Sequence, residues 1–230
     1  MGAAQSRATT RDPWRGTFIA LFQPAEETAA DAAAMVDAGL TDLVPRPDVA
    51  FAQHVLGDDA GHLRLIASTV GALSAGTTSN VIPDQATLLV NTRVHSEQTQ
   101  TTVLRATERI VRAEREASDS PKPPTFEYYD QFPLTSNDPA TTARVRAAFE
   151  QYFGTDRVFT MAPQSASEDF SRIPDTFGTP YTYWGLGGFP AGAQAAPNHS
   201  PFFAPVQQPT LTAGTEAAVV AVLAYLATDG

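Results

Sequence analysis

Apolar positions along this chain fall into runs whose length and spacing separate strands from helices. Residues 18–22 (FIALF) form a continuous apolar run without polar alternation, the pattern of a strand buried on both faces. Gln23 and Pro24 end it, because proline cannot donate to a ladder. Two glutamates, Glu26 and Glu27, follow at once. An Ala-rich segment then predicts a helix over 31–38, closed by Gly39. Pro45 and Pro47 introduce a second apolar patch, 49–52, which runs on into Gln53, His54 and Val55. A turn is expected over 57–61, short strands over 62–66 and 69–75, and a turn over 76–80. Residues 85–94 alternate as a strand should, with Ala86, Leu88, Val90 and Thr92 on one face. Ser96 caps a long helix over 97–117 whose apolar stripe is Val103, Leu104, Ile110 and Val111.

After Pro121 to Pro124 breaks that helix, 125–132 reads as one more strand. Asp138 and Pro139 open a helix through about Tyr152, and 158–161 is a short strand. The segment SASEDF (165–170) precedes an apolar, aromatic strand over 181–186 that ends in Gly187 and Gly188. A loop carries PNHSPF (197–202), and an amphipathic helix over 209–227 closes the sequence. Strands alternating with helices predict an α/β fold. The β-β-α-β block reads as a small domain inserted in a larger one. The expected units are a main domain of 1–65 plus 134–230 and an inserted domain of 66–133.

Composition narrows the function. The 230 residues are 43% hydrophobic, enough for a sizeable core. The net charge of -10 argues against nucleic acid or an anionic membrane as partner, since both need clustered Lys and Arg. There is no cysteine, hence no disulfide framework and no thiolate metal site. No run approaches the ~20 apolar residues of a membrane span, so the expected setting is cytoplasmic.

The chemistry gathers at Glu26 and Glu27, just past the carboxyl end of a buried strand, where open α/β sheets place their ligands. Adjacent carboxylates point in different directions. They cannot flank a glycosidic bond, whose two carboxyls lie ~5–9 Å apart across the sugar. They do suit a hydrolytic metal centre, where one ligates the cation and its neighbour takes a proton from water. The alternative is that both are first-turn acids favoured by a helix dipole. His54, at the end of a short strand, reads either as a core polar contact or as a ligand that meets the glutamates.

FQPAEE, QHV, GTTSNVIPD, SASEDF and NHSPFF occur in that order over nearly the whole chain. Together they resemble the amidohydrolase branch of the aminoacylase and carboxypeptidase G-type metallopeptidases, which includes hippurate hydrolases and auxin-conjugate hydrolases. The resemblance implies an α/β/α sandwich domain holding two divalent metal ions, zinc or manganese, and an inserted α+β lid that serves as homodimer contact. Glu26 resembles the general base and Glu27 a metal ligand. His54 and His199 resemble two further metal-binding histidines, and Asn80 and Arg93 the lid residues that hold the substrate. The implied reaction is hydrolysis of an N-acyl amino acid. The metals polarise the amide carbonyl and acidify water, and Glu26 takes the water's proton and returns it to the leaving amine.

Two features of that family are not found in the sequence. A His-x-Cys-Gly-His-Asp motif belongs ahead of the glutamate strand, yet the seventeen residues before 18 hold neither Cys nor His. A complete lid includes a first strand and helix with a glycine-rich His segment, whereas here HLRL (62–65) passes straight to IASTV (66–70). The expectation is a chain truncated at its N-terminus and within the lid, holding less than one tightly bound zinc or manganese and showing negligible amidohydrolase activity as written. Two functions follow: a metal-dependent amidohydrolase, or a catalytically inactive homologue that binds acyl amino acids or pairs with an intact subunit.

Overall fold

The computed structural model describes residues 14–24, 31–60, 63–64, 87–90, 92, 94, 96–129, 131–161, 168–198 and 200–227. Its elements run α1 (Asp31–Asp37), α2 (Leu40–Leu43), β1 (Ala50–Asp59), β2 (Leu63–Arg64), α3 (Glu97–Ala117), α4 (Pro139–Phe153), α5 (Arg172–Phe177), β3 (Tyr181–Phe189) and α6 (Gln207–Leu226). A 3-10 turn, Thr155–Arg157, follows α4.

β3 is the middle strand of the order β1-β3-β2, parallel to β1 and antiparallel to β2. All of its residues are buried, as its near-continuous apolar sequence demands. Trp184 and Leu186 point to one face, where α4 and α6 cover them with Val145, Phe149, Ala213, Ala217, Val220 and Ala221. Tyr181 and Tyr183 point to the other, where Phe170 meets Tyr181 edge-on and stacks on Tyr183. On that second side of the chain's core, α1, α2 and α5 join through Ala32, Leu40 and Ile173. The fold is α/β, as expected.

Local chemistry accounts for the helix ends. The Asp138 carboxylate accepts from Thr141 N–H at 2.7 Å and Pro139 occupies the first turn of α4, both favourable there. That hydrogen bond holds the Asp138 carboxyl below the usual carboxylate range. Gln208 is extended, so the regular turns of α6 begin at Pro209. α6 is apolar and long enough to cross a membrane by composition, and its stripe of Ala213, Gly214, Ala217 and Ala221 packs in the core. Small residues let it lie close: a Cβ on Gly214 would stand 2.7 Å from Leu186 Cδ2.

One edge of β3 is closed by a side chain. Asn137 Nδ2 donates to Tyr183 O and Tyr183 N–H donates to Asn137 Oδ1, both at 2.8 Å. Asp138 N–H donates to Tyr181 O at 2.9 Å. Segment 136–138 thus continues along the edge the line that β2 begins at Gly185.

Several expected elements are corrected. Residues 18–22 are not a strand, and Phe22 is 59% exposed. Trp14 bridges Ala227 and Arg15 N–H donates to Leu226 O, after which no described strand pairs with the run. An apolar run signals burial, but a strand also needs backbone partners. Residues 87–90 and the described part of 125–132 likewise carry no ladder. Residues 158–161 contribute one parallel bridge, Leu63 with Val158. The turn expected from Gly57 is instead the continuation of β1 to Asp59, through an irregularity in register between Leu56 and Asp59. A Cβ on Gly187 would fall 1.9 Å from Asp59 O, so that close approach needs glycine. The expected strand and turn at 69–80 lie outside the described residues.

Candidate metal and active site

The parallel register decides which side chains share a face. Phe51, Gln53 and Val55 of β1 stand beside Thr182, Trp184 and Leu186, toward α4 and α6. By the two-residue period, His54 projects on the opposite face, together with Tyr183. Its partner across the ladder is Gly185, so no β3 side chain stands beside the imidazole.

His54 Nδ1 lies 2.7 Å from Val55 O. A carbonyl oxygen only accepts, so this contact assigns the ring proton to Nδ1. With its proton on Nδ1, the uncharged form of such a ring presents the lone pair of Nε2, the form in which histidine ligates a metal. Chemically, His54 fits a divalent ion.

The other five expected site residues, Glu26, Glu27, Asn80, Arg93 and His199, lie outside the described residues. Among the described residues no group of three metal-capable side chains is gathered. What is placed is the described chain on either side of the glutamates in sequence. Gln23, just before it, donates from Nε2 to Asp31 Oδ1 at 2.9 Å and to Asp169 Oδ1 at 2.5 Å. Both partners are acceptors, so the amide orientation is fixed. Asp169 Oδ2 accepts from Ala32 N–H at 3.1 Å. Asp31 and Asp169 are buried, Asp169 completely.

Glu168 lies on the His54 side of the sheet. Its Oε2 accepts from the Tyr183 hydroxyl at 2.5 Å and its Oε1 from Phe170 N–H at 3.0 Å. Nearby, burial pushes the Tyr181 hydroxyl and the Asp175 carboxyl above their ordinary values. Reading the sequence residue by residue assigned no role to Gln23, Asp31, Glu168, Asp169 or Tyr183. For Gln23, Glu168 and Asp169 the signal was their place inside FQPAEE and SASEDF; Asp31 and Tyr183 lie in neither motif, and the pairing of Gln23 with Asp169 across 146 residues had no signal.

A family model for peptidase family M20/M25/M40 matches residues 1–224. IAA-amino acid hydrolase ILR1-like 4 of Arabidopsis thaliana is 26% identical over 155 residues, covering 66% of this chain and 34% of that protein. The matched stretch therefore spans about a third of that relative's length. Among solved structures, the YXEP protein of Bacillus subtilis, a dinuclear metal binding peptidase from the M20 family, superposes with a TM-score of 0.74 at 21% identity. The match covers 97% of this chain and 69% of that one. The aminobenzoyl-glutamate utilization protein from Klebsiella pneumoniae gives 0.69 at 20%, over 97% and 66%. At these identities the structural likeness speaks to the fold.

Proposed function

Because the chain belongs to peptidase family M20/M25/M40, we propose that it is a metal-dependent amidohydrolase of N-acyl amino acids. Residues 1–65 and 134–230 form the metallohydrolase domain, and 66–133 the lid and homodimer contact. Glu27, His54 and His199 hold divalent ions, zinc or manganese. Such ions supply Lewis acidity, polarising an amide carbonyl and lowering the pKa of water from ~15.7 toward 7. Glu26 takes the proton of the attacking water and returns it to the leaving amine. Arg93 binds the substrate carboxylate in a fork, and Asn80 donates to the oxygen on which charge develops.

The observation that supports this reading most directly is His54, whose Nδ1–H is spent on Val55 O and whose Nε2 is left to ligate. The N-acyl amino acid substrate is supported by the relative named as an IAA-amino acid hydrolase.

The test is metal-dependent turnover. Hippurate and N-acetyl amino acids are incubated with the chain at saturating zinc or manganese, and release of the amino acid is followed. Turnover that chelation abolishes, together with weaker zinc binding by His54→Ala in calorimetry, is the expected result. Loss of a ligand should exceed the ~10–100-fold cost of losing a group that only supports one. Stoichiometric binding of an N-acyl amino acid with no turnover at any metal concentration would overturn it in favour of a binding or subunit-pairing role.

A further inference from the structure

α3 buries none of its residues, and its ties run to the stretch that follows it. Arg115 Nε donates to Lys122 O at 3.3 Å, Phe126 lies under the Arg112 guanidinium, and the Tyr128 hydroxyl donates to Glu108. Residues 97–128 therefore hold together as one unit. From Gln131 onward the ties run the other way, to α5 and β3. Arg172 Nη2 donates to Gln131 O, Ser136 N–H to the Tyr181 hydroxyl at 2.7 Å, and Asp138 N–H to Tyr181 O at 2.9 Å. Pro133 stiffens the span from Gln131 to Ser136, since it fixes its own φ and keeps Phe132 extended. Between the last tie of one unit and the first of the other stands Tyr129, 63% exposed.

We infer that Arg172 is a latch that fixes the angle at which the α3 unit joins the rest of the molecule. It opens α5, whose Ile173 packs with Ala32 and Leu40, so the side chain reaches out from a firm base. Its acceptor, Gln131 O, is the first backbone group tied on the β3 side of the junction. A charge-assisted bond there outweighs an ordinary backbone contact. The grip is also single. Nε–H, the donor parallel to Nη2–H in the same fork, is buried and has no partner among the described residues. One bond of this kind holds an orientation yet releases it without breaking a fold. In the proposed function the α3 unit is part of the lid, and the latch then sets the lid's resting position. Turnover plays no part in the test, so the latch and the hydrolase reading fail separately.

The sequence has no cysteine, so spin labels go only where they are introduced. Arg109→Cys on α3 and Gln151→Cys on α4, both exposed, carry them, and electron–electron resonance reads the distance between the two units. Arg172→Ala should move the ratio of the original distance to other distances by about tenfold or more, on loss of a charge-assisted bond. Arg172→Lys, which keeps a charged donor, should fall between the two. Amide exchange at Ser136 and along β3 should stay as slow as in the parent. An unchanged distance distribution in Arg172→Ala would overturn the inference. A changed distribution accompanied by fast exchange at Ser136 and β3 would also overturn it, because Arg172 would then be a prop of α5 and not a latch. If Arg172→Ala does not fold, Tyr129→Gly carries the test, since that side chain is exposed. A glycine there should broaden the distribution, and a distribution as narrow as the parent's would sink the junction and its latch together.

Discussion

Every residue of β3 is buried, whereas α3, more than twice its length, buries none. β3 takes its order from its surroundings. Phe149 meets Trp184 edge-on at 5.2 Å, Leu186 packs under α6, and three backbone neighbours fill its ladder. α3 takes its order from within. Ser96 Oγ accepts from Thr99 N–H at 3.1 Å, and Arg112 pairs with Glu108 one turn away at 3.1 Å. The chain that follows folds back on it, with Phe126 under the Arg112 guanidinium and the Tyr128 hydroxyl donating to Glu108 at 2.5 Å. Capping and pairs of this kind are worth a few tenths to ~1 kcal/mol each. Both elements are regular, but only one is regular because of packing. The lesson is that helical periodicity identifies a helix without saying that its stripe is covered.

The sharpest way to break the contrast is to empty the buried side. Trp184→Ala should cost about 3–5 kcal/mol by urea denaturation, since Trp184 is 3% exposed and its truncation leaves a large cavity in the core. A loss under ~1 kcal/mol would show that β3 does not depend on its packing. The same truncation on the helix should do little. Ile110 is 52% exposed, and Ile110→Ala should shift stability by about 0.5 kcal/mol or less. A loss several times larger would mean that the stripe of α3 is covered in solution, and the contrast would narrow to one of partners.

The smallest expected effect is on titration. The Tyr128 hydroxyl, more than the Arg112 guanidinium, holds the Glu108 carboxyl below the ordinary glutamate value. The folded value is depressed, so the contribution is complete above about 4.3. It is lost as pH falls through the lower folded value. Tyr128→Phe should move the Glu108 midpoint upward in an NMR titration. An unmoved midpoint would assign the depression to Arg112 alone.

What could be read from sequence follows the same divide. α3 and α4 were legible to within a residue because their caps, Ser96 and Asp138 with Pro139, are local chemistry. β3 was legible from residue 181 because a fully buried strand has no polar face, although Gly187 and Gly188 hid its last residues. The runs at 18–22, 85–94 (described over 87–90) and 125–132 misled because an apolar pattern says nothing about which backbone lies alongside. α5, only six residues with Pro174 inside, carries too little pattern to predict. At the site, the type and place of His54 pointed to a ligand, while its tautomer depends on a contact that only the fold reveals. The tie between Gln23 and Asp169 had no local signal, since it joins residues far apart in sequence.

The amide of Asn137 has a consequence for how this protein meets its neighbours at high concentration. YTYWGLGGF is rich in the aromatic and β-branched residues that drive cross-β stacking. A strand recruits further strands through unpaired N–H and C=O groups along its edge. At Tyr183 both groups are already taken by one side chain, and at Tyr181 the carbonyl is taken by Asp138. Growth of an intermolecular sheet on this edge must first peel away segment 136–138. The segment leading into α4 therefore covers this edge, and its release, rather than loss of the sheet, is the event that opens it.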